Sequence, residues 1–341
     1  LYTAELFILQ SQFIDFRFSM GLHIRPVPAC SRTNQDNSTL KSDNETHYTT
    51  VLIWTWPFQK KFDTDCGVFG VQKCYLTDDR SIYNKADGVF FHHRDINLKD
   101  LPKIPGPCFQ KWVWVNMESP DNTLQFPWLD DLFNLTCNYR LDSNIPVPYG
   151  YLVPRNSEDP DFQLPTKDKL VCWIISNWNQ HLLRVQYYNQ LKDHIQISSY
   201  GKAFGNPLSN EDYKNVLSSC KFYLAFENSV HKDYITEKLF HPMSLGSVPI
   251  VLGPPRDNYM RQIPADSFIH VNDFASPKEL AERLHHLNKD PEEYMRYFKW
   301  TKEYKVTSSW FGKEHACRTC DYIQKHRRSQ VCHNLIEWFW G

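Results

Sequence analysis

Two series of short apolar runs, each run followed by a polar connector, predict an α/β chain built on two open, mostly parallel sheets. The first series lies between residues 49 and 117 and the second between 170 and 271. Between them "DSNIPVPYGYLVP" (142–154) carries three prolines and reads as an extended link. The 341 residues also suit two domains, at roughly 150 residues each.

Taken in order, residues 1–47 hold Pro26, Pro28 and little apolar period, which suits a stem or linker. "VLIW", "GVFFHH" and "KWVWVNM" are the strands expected of a first half spanning 48–155, with connectors long enough for short helices. The second half, 156–310, offers "LVCWIIS" (170–176), "IQISSYG" (195–201), "KFYLAF" (221–226), "VPIVLG" (248–253) and "SFIHV" (267–271). Helical patterns fall at 179–194 and 276–290, the latter opened by a capping box from Ser276 to Glu279. Both halves are Rossmann-like in this spacing, yet neither has a G-x-G-x-x-G turn after its first strand, which argues against a tightly held dinucleotide.

Composition narrows the function. With 38 Lys+Arg against 39 Asp+Glu the chain lacks the basic excess of a nucleic-acid binder. No run of about 18 apolar residues is present to span a membrane. The sequence opens at Leu1 instead of Met, so an upstream segment is expected. Three glycosylation sequons, at Asn37, Asn44 and Asn134, accompany ten cysteines and favour an oxidising secretory lumen over the cytosol.

Chemistry is expected where strands end, since ligands of open sheets bind beyond their carboxyl ends. The stretch "FENSVHKDYITEKLF" (226–240) follows a strand and crowds polar groups together. Asp233 reads as an N-cap, which would put Tyr234, Glu237 and Lys238 on one helical face. A helix N-terminus with a lysine beside it favours a diphosphate, while Asn228 and Glu237 suit a base and ribose hydroxyls. "SNWNQHLLR" adds Asn177 past a strand end and Arg184, a residue type that grips phosphate in a bidentate fashion. In the first half Glu118 of "WVNMESP" and "FHHRD" (91–95) also lie at strand ends. One half thus offers a carboxylate and the other a nucleotide site, an arrangement that can face across a cleft.

From about residue 49 to 341, "FENSVHKDYITEKL", "GSVPIVLGP", "ADSFIHV", "MESP", "FHHRD" and "VPYG" resemble the alpha-1,3-fucosyltransferases of glycosyltransferase family 10, the vertebrate Golgi branch in particular. The resemblance implies a GT-B fold: an acceptor-binding Rossmann-like domain and a GDP-fucose-binding one facing across a cleft. It also implies a catalytic domain in the Golgi lumen, held by a type II membrane anchor upstream of Leu1. By position, Glu118 matches the family's general base. Tyr149, Ser176, Asn177, Arg184, Tyr223, Asn228, Tyr234, Glu237 and Lys238 match donor-binding positions. Arg94 matches the position where arginine goes with Galβ1-4GlcNAc acceptors, and His93 and Lys60 join Glu118 and Arg94 on the acceptor side. N-Acetyllactosamine-bearing glycoproteins and glycolipids are the implied partners.

The implied reaction is one inverting displacement that makes Lewis x-type structures. Glu118 would deprotonate the acceptor hydroxyl while Arg184 and Lys238 stabilise the leaving GDP. "TDDR" (77–80) holds adjacent carboxylates and no Asp-x-Asp triplet, so no metal cofactor is required and Mn²⁺ is at most a stimulant. A catalytically silent glycan-binding relative would have no use for a diphosphate site, and a transferase of another nucleotide sugar would differ in donor preference. Pro242 departs from the family pattern and should kink the helix at Lys238. "YRLDSN" (139–144) and "WPFQKK" (56–61) depart from it too and bear on acceptor detail. The resemblance further implies that Cys66, Cys74, Cys317 and Cys320 are oxidised, tying the tail (311–341) to the first domain or closing each short loop locally. Cys172 and Cys220, on neighbouring parallel strands, are expected to bridge. Cys30, Cys108, Cys137 and Cys332 show no evident partner and are expected free.

Overall fold

A computed structural model describes residues 48–104, 106–328 and 330–341. Asn37, Asn44, Cys30 and the expected stem lie outside the described residues. The first sheet comprises Thr49–Thr55 (β1), Cys74–Thr77 (β2), Gly88–His92 (β3), Lys111–Asn116 (β4), Leu135–Asn138 (β5) and Ile145–Pro146 (β6). Its order is β2-β1-β3-β4-β5-β6, with every pairing parallel. The described connectors carry only short 3₁₀ turns, so the helices expected in them are absent there.

The proline-rich link is more than a link. Its start supplies β6, and Gly150–Pro154 (β7) pairs antiparallel with a strand from far downstream. The second sheet follows with Lys169–Ile174 (β8), helix Leu183–Leu191 (α1), Ile197–Tyr200 (β9), helix Asn210–Ser219 (α2) and Cys220–Phe226 (β10). Helix Glu237–Ser244 (α3), Val248–Leu252 (β11), the short helix Arg256–Met260 (α4) and Ile269–His270 (β12) complete it. The order β12-β11-β10-β8-β9 is parallel throughout and reverses direction between β8 and β10. The central strands β10 and β11 are buried on both faces, as parallel strands under helices must be, which is why they read as continuous apolar runs.

Helix Pro277–Lys289 (α5) starts at Ser276, whose hydroxyl accepts from the Glu279 N–H at 3.3 Å. Helix Pro291–Arg296 (α6) leads to Tyr304–Ser308 (β13), the partner of β7. That ribbon lies against α3, and Gly150 is placed where any Cβ would come within 2.6 Å of the Phe240 ring. Helix α3 continues through Pro242 to Ser244, because the proline falls in its last turn, and does not end at the proline.

The tail completes the first sheet. Helix Lys313–Lys325 (α7) sets Ala316, Cys317, Cys320 and Ile323 against Val51, Phe90, Val113 and Leu135 on one face. Gly88 leaves Ile323 its space, since a Cβ there would approach the isoleucine to 2.5 Å. Helix Leu335–Trp340 (α8) puts Leu335 and Phe339 with Val89, Phe91 and Trp114 on the other face. Disulfides Cys66–Cys317 and Cys74–Cys320 pin α7 down, so the four cysteines tie the tail to the first domain and do not close local loops. Cys172–Cys220 joins β8 to β10. Cys137 and Cys332 are free, but Cys108, expected free, is disulfide-bonded. Nothing within the sequence around Cys108 signals that bond.

Candidate active site

The second sheet reverses between β8 and β10, so its crevice opens where those strands end. Past β8, the exposed Ser176 and Asn177 form the rim. Arg184, in the first turn of α1, is 5% exposed and donates from Nη2 to the Asn177 carbonyl at 2.8 Å. Its buried Nε has no partner among the described residues. Burial pulls the guanidinium's pKa below its ordinary value, opposed by the nearby Glu227 carboxylate.

Past β10, Glu227 is buried and forms the hub of the loop. Its Oε1 accepts from the Thr236 N–H at 2.8 Å and hydroxyl at 3.0 Å, and its Oε2 lies 3.4 Å from Lys238 Nζ. Thr236, not Asp233, is the N-cap, and α3 begins at Glu237. Tyr234 therefore lies ahead of the helix and shares no helical face with Glu237 and Lys238. Asp233 has φ of 57°, a conformation a helix N-cap does not take, and its side chain works elsewhere. Oδ1 accepts from Asn258 at 2.6 Å and Arg261 at 2.9 Å, and Oδ2 from the Leu141 N–H at 3.1 Å. One buried carboxylate thus ties the loop to α4 and to the first half.

Lys238 Nζ donates to Thr236 Oγ1 at 2.8 Å and to Glu237 Oε1 at 3.0 Å. Burial pulls its pKa down, but Glu227 and Glu237 outweigh that and hold it above the ordinary value. Burial likewise pushes Glu237 up, while Lys238 wins and leaves its carboxyl below the usual range. Glu227 goes the other way: burial raises its pKa despite Lys238. Two fixed cations, Arg184 and Lys238, therefore border the crevice. Asn228, half-buried beside them, accepts from the Ser229 hydroxyl at 3.3 Å.

Tyrosines line the seam towards the first half. Tyr234 packs edge-on against Tyr139 at 5.1 Å and Tyr149 at 6.3 Å. Tyr149 donates its hydroxyl to the Met117 carbonyl, one residue before Glu118. Burial pushes both phenols well above their ordinary pKa, so they stay protonated donors. Glu118 is half-buried, and Asn116 braces its backbone through bonds of 3.2 and 3.4 Å. Its charge reaches Tyr139 and Tyr149 in its own half and Tyr234 across the seam. No protein group among the described residues engages its carboxylate. Tyr223, by contrast, is 3% exposed within β10 and packs in the core, where burial raises its phenol well above the ordinary pKa.

On the first sheet's rim Arg94 is exposed, with its guanidinium 5.3 Å from the Phe58 ring centroid, and Lys60 is exposed beyond β1. His93 does not belong with them. It is buried, its Nε2 lies 2.8 Å from the Leu124 carbonyl, and its Nδ1 accepts from Trp114 Nε1 at 3.0 Å. Both ring nitrogens are taken and burial lowers its pKa to about 4, so His93 braces the loop as a neutral ring and meets no acceptor. Asn134 is 4% exposed, with Oδ1 accepting from the Trp112 N–H at 2.7 Å and Nδ2 donating to the Gln330 carbonyl at 2.6 Å. A glycan on Nδ2 would need the tail around Gln330 to make room.

Two family profiles cover this architecture. "Fucosyltransferase, N-terminal" matches residues 46–150, and "Glycosyltransferase family 10 (fucosyltransferase) C-term" matches 164–338. The chain belongs to glycosyltransferase family 10, the fucosyltransferases. This fucosyltransferase is 50% identical over 340 residues to the Mus musculus 4-galactosyl-N-acetylglucosaminide 3-alpha-L-fucosyltransferase 9, covering 96% of this chain and 94% of the relative. The Homo sapiens counterpart is 49% identical over the same span. A Bos taurus 3-galactosyl-N-acetylglucosaminide 4-alpha-L-fucosyltransferase FUT3 is 44% identical over 299 residues, 85% of this chain and 81% of the relative. A solved alpha1,3-fucosyltransferase with GDP-fucose shares the GT-B architecture at TM-score 0.56 and 16% identity, covering 87% of this chain and 96% of that one.

The geometry adds residues to which the sequence assigned no role in the fucosyltransferase: Glu227, Thr236 and Asn116. The available signal was a carboxylate directly after a buried strand, where a solvated loop has no need of one. The adjacent carboxylates of "TDDR" are both occupied, Asp78 by Lys61 at 2.6 Å and Asp79 by the Ser81 N–H at 3.0 Å.

Proposed function

We propose that this fucosyltransferase moves L-fucose from GDP-β-L-fucose, with inversion, to O3 of GlcNAc in N-acetyllactosamine glycans. The observation that carries the reading is the pair of fixed cations, Arg184 and Lys238, at the second sheet's crevice, across the seam from the unengaged Glu118 carboxylate. Glu118 takes the proton of the acceptor hydroxyl as the new O3–C1 bond forms. The bond from C1 to the β-phosphate oxygen breaks with its electron pair, and GDP leaves from the opposite face of the sugar. Arg184, whose Nε lacks a partner among the described residues, and Lys238 meet the charge that grows there. With that charge matched by side chains, the reaction needs no metal, and Mn²⁺ is at most a stimulant.

The first half, 48–155, takes the acceptor and the second, 156–310, the donor, with the 311–341 tail completing the first. Arg94 at the rim, and the relatives at 49–50% identity named for 3-fucosylation of 4-galactosyl acceptors, support the choice of Galβ1-4GlcNAc. The three described disulfides suit the oxidising lumen of the Golgi, with an anchor upstream of Leu1. A donor-by-acceptor activity screen tests the reading. GDP-fucose with Galβ1-4GlcNAc should give the 3-fucosylated product. Preference for another nucleotide sugar, efficient O4 transfer to Galβ1-3GlcNAc, or glycan binding without transfer would each refute it.

A further inference from the structure

The first sheet also reverses. β1 leads to β2 on one side while β3 lies on the other, so a crevice opens at their carboxyl ends. Phe58 follows β1 there, and Arg94 follows β3. Phe58 and Gln59 have φ of 52° and 57°, two consecutive non-glycine residues in the left-handed region, which persists only where the surroundings enforce it. Here Asp95 enforces it. Its Oδ2 accepts from the Phe58 N–H at 2.8 Å and lies 2.6 Å from His92 Nδ1.

The Phe58 ring lies 5.1 Å from His92 and 5.6 Å from Phe311, which comes from the opposite end of the chain. Trp310 beside it meets the Phe69 ring at 5.9 Å and the Lys313 ammonium at 5.3 Å. The two disulfides of α7 hold these segments together. Even so, Phe58 is 41%, Phe311 42% and Trp310 54% exposed. Single exposed aromatics are ordinary, whereas the Phe58–Phe311 pair, with Trp310 next in sequence and exposed beside it, is a patch of the kind that marks a binding surface.

We propose that Phe58, Phe311 and Trp310 form an aromatic ledge that receives the β1-4-linked galactose of the acceptor. The inference rests on the functional reading above and specifies how that site reads its substrate. β-Galactose carries an axial 4-hydroxyl, which leaves the C–H bonds of C3, C4 and C5 together on one face. That apolar face suits a ring, while the hydroxyls at the edge suit the Arg94 guanidinium. β1 lies two strand spacings from β4, whose end leads to Glu118, or ~10 Å. That is the reach of one sugar beyond the GlcNAc being deprotonated.

The test compares wild type with Trp310→Ala and Phe311→Ala, and with Trp310→Phe as the conservative control. The ratio of kcat/KM for Galβ1-4GlcNAc to that for GlcNAc alone should fall about 10-fold in each alanine variant, the scale of a lost aromatic anchor. Trp310→Phe should recover most of it, and KM for GDP-fucose should not move. An unchanged ratio, or equal losses on both acceptors, would overturn the ledge. Saturation-transfer NMR of Galβ1-4GlcNAc on the same proteins needs no turnover. Galactose protons that stay equally saturated in wild type and both alanine variants refute the ledge even if wild type transfers no fucose, a result that would sink the functional reading separately.

Discussion

Replacing Arg184 with methionine removes a cation while keeping a stem that fills most of its space, and the structure sets two opposite expectations. Without ligand, the folded protein loses one hydrogen bond, Nη2 to the Asn177 carbonyl, worth about 1 kcal/mol net. It also sheds an unpartnered buried Nε, which costs about 1–3 kcal/mol, and the desolvation of a charge. Unliganded stability should therefore stay within about 1 kcal/mol of wild type or rise. With GDP bound, two charge-assisted bonds of about 1.5–3 kcal/mol each disappear, so affinity should drop about 10²–10⁴-fold. Calorimetric titration with GDP and urea unfolding without it read the two effects. Unchanged GDP affinity, or a loss of more than about 3 kcal/mol in the unliganded protein, would make Arg184 a structural residue and refute the reasoning.

Glu118→Gln should bind GDP normally yet turn over about 10²-fold more slowly, and near wild-type turnover would remove it as the base. In acid, stability should fall for a stated reason. Burial holds His93 at about 4 and His315 at about 3, so between pH 6.5 and 4 the unfolded chain binds protons that the folded one does not. The stability is present above pH 6.5 and is lost as pH falls, about 2 kcal/mol per histidine at pH 5. Urea unfolding at pH 7 and 5 should show a smaller drop in His315→Phe, and parallel drops would refute the assignment. The two tail disulfides should be non-additive. Each alone closes a loop of about 250 residues, but with one in place the other closes only about a dozen, so removing either costs about 3 kcal/mol and removing both about 8. Equal, additive losses by denaturant unfolding would contradict the tie.

Sequence alone determined the parts whose physics is local. Strands buried on both faces appear as apolar runs, so β1, β3, β4, β8 and β10 to β12 were legible, as was the Ser276 cap of α5. The polar stretch after β10 marked the site because a buried strand end has no ordinary use for such groups. What the tertiary structure decided depends on partners far apart in the chain. Residues 142–154 look like a bare link because the strand that pairs with β7 lies about 150 residues later. Asp233 has the chemistry of a cap, yet its oxygens go to Leu141, Asn258 and Arg261, and the helix starts at Thr236 instead. His93 stands beside Arg94 in sequence, but the 3₁₀ turn His93–Asp95 that follows β3 sets one into the core and the other in solvent. The first sheet gets its covering helix from residues 313–325, because its own described connectors carry only short 3₁₀ turns. Local propensity names the pieces, and long-range burial chooses which of them meet.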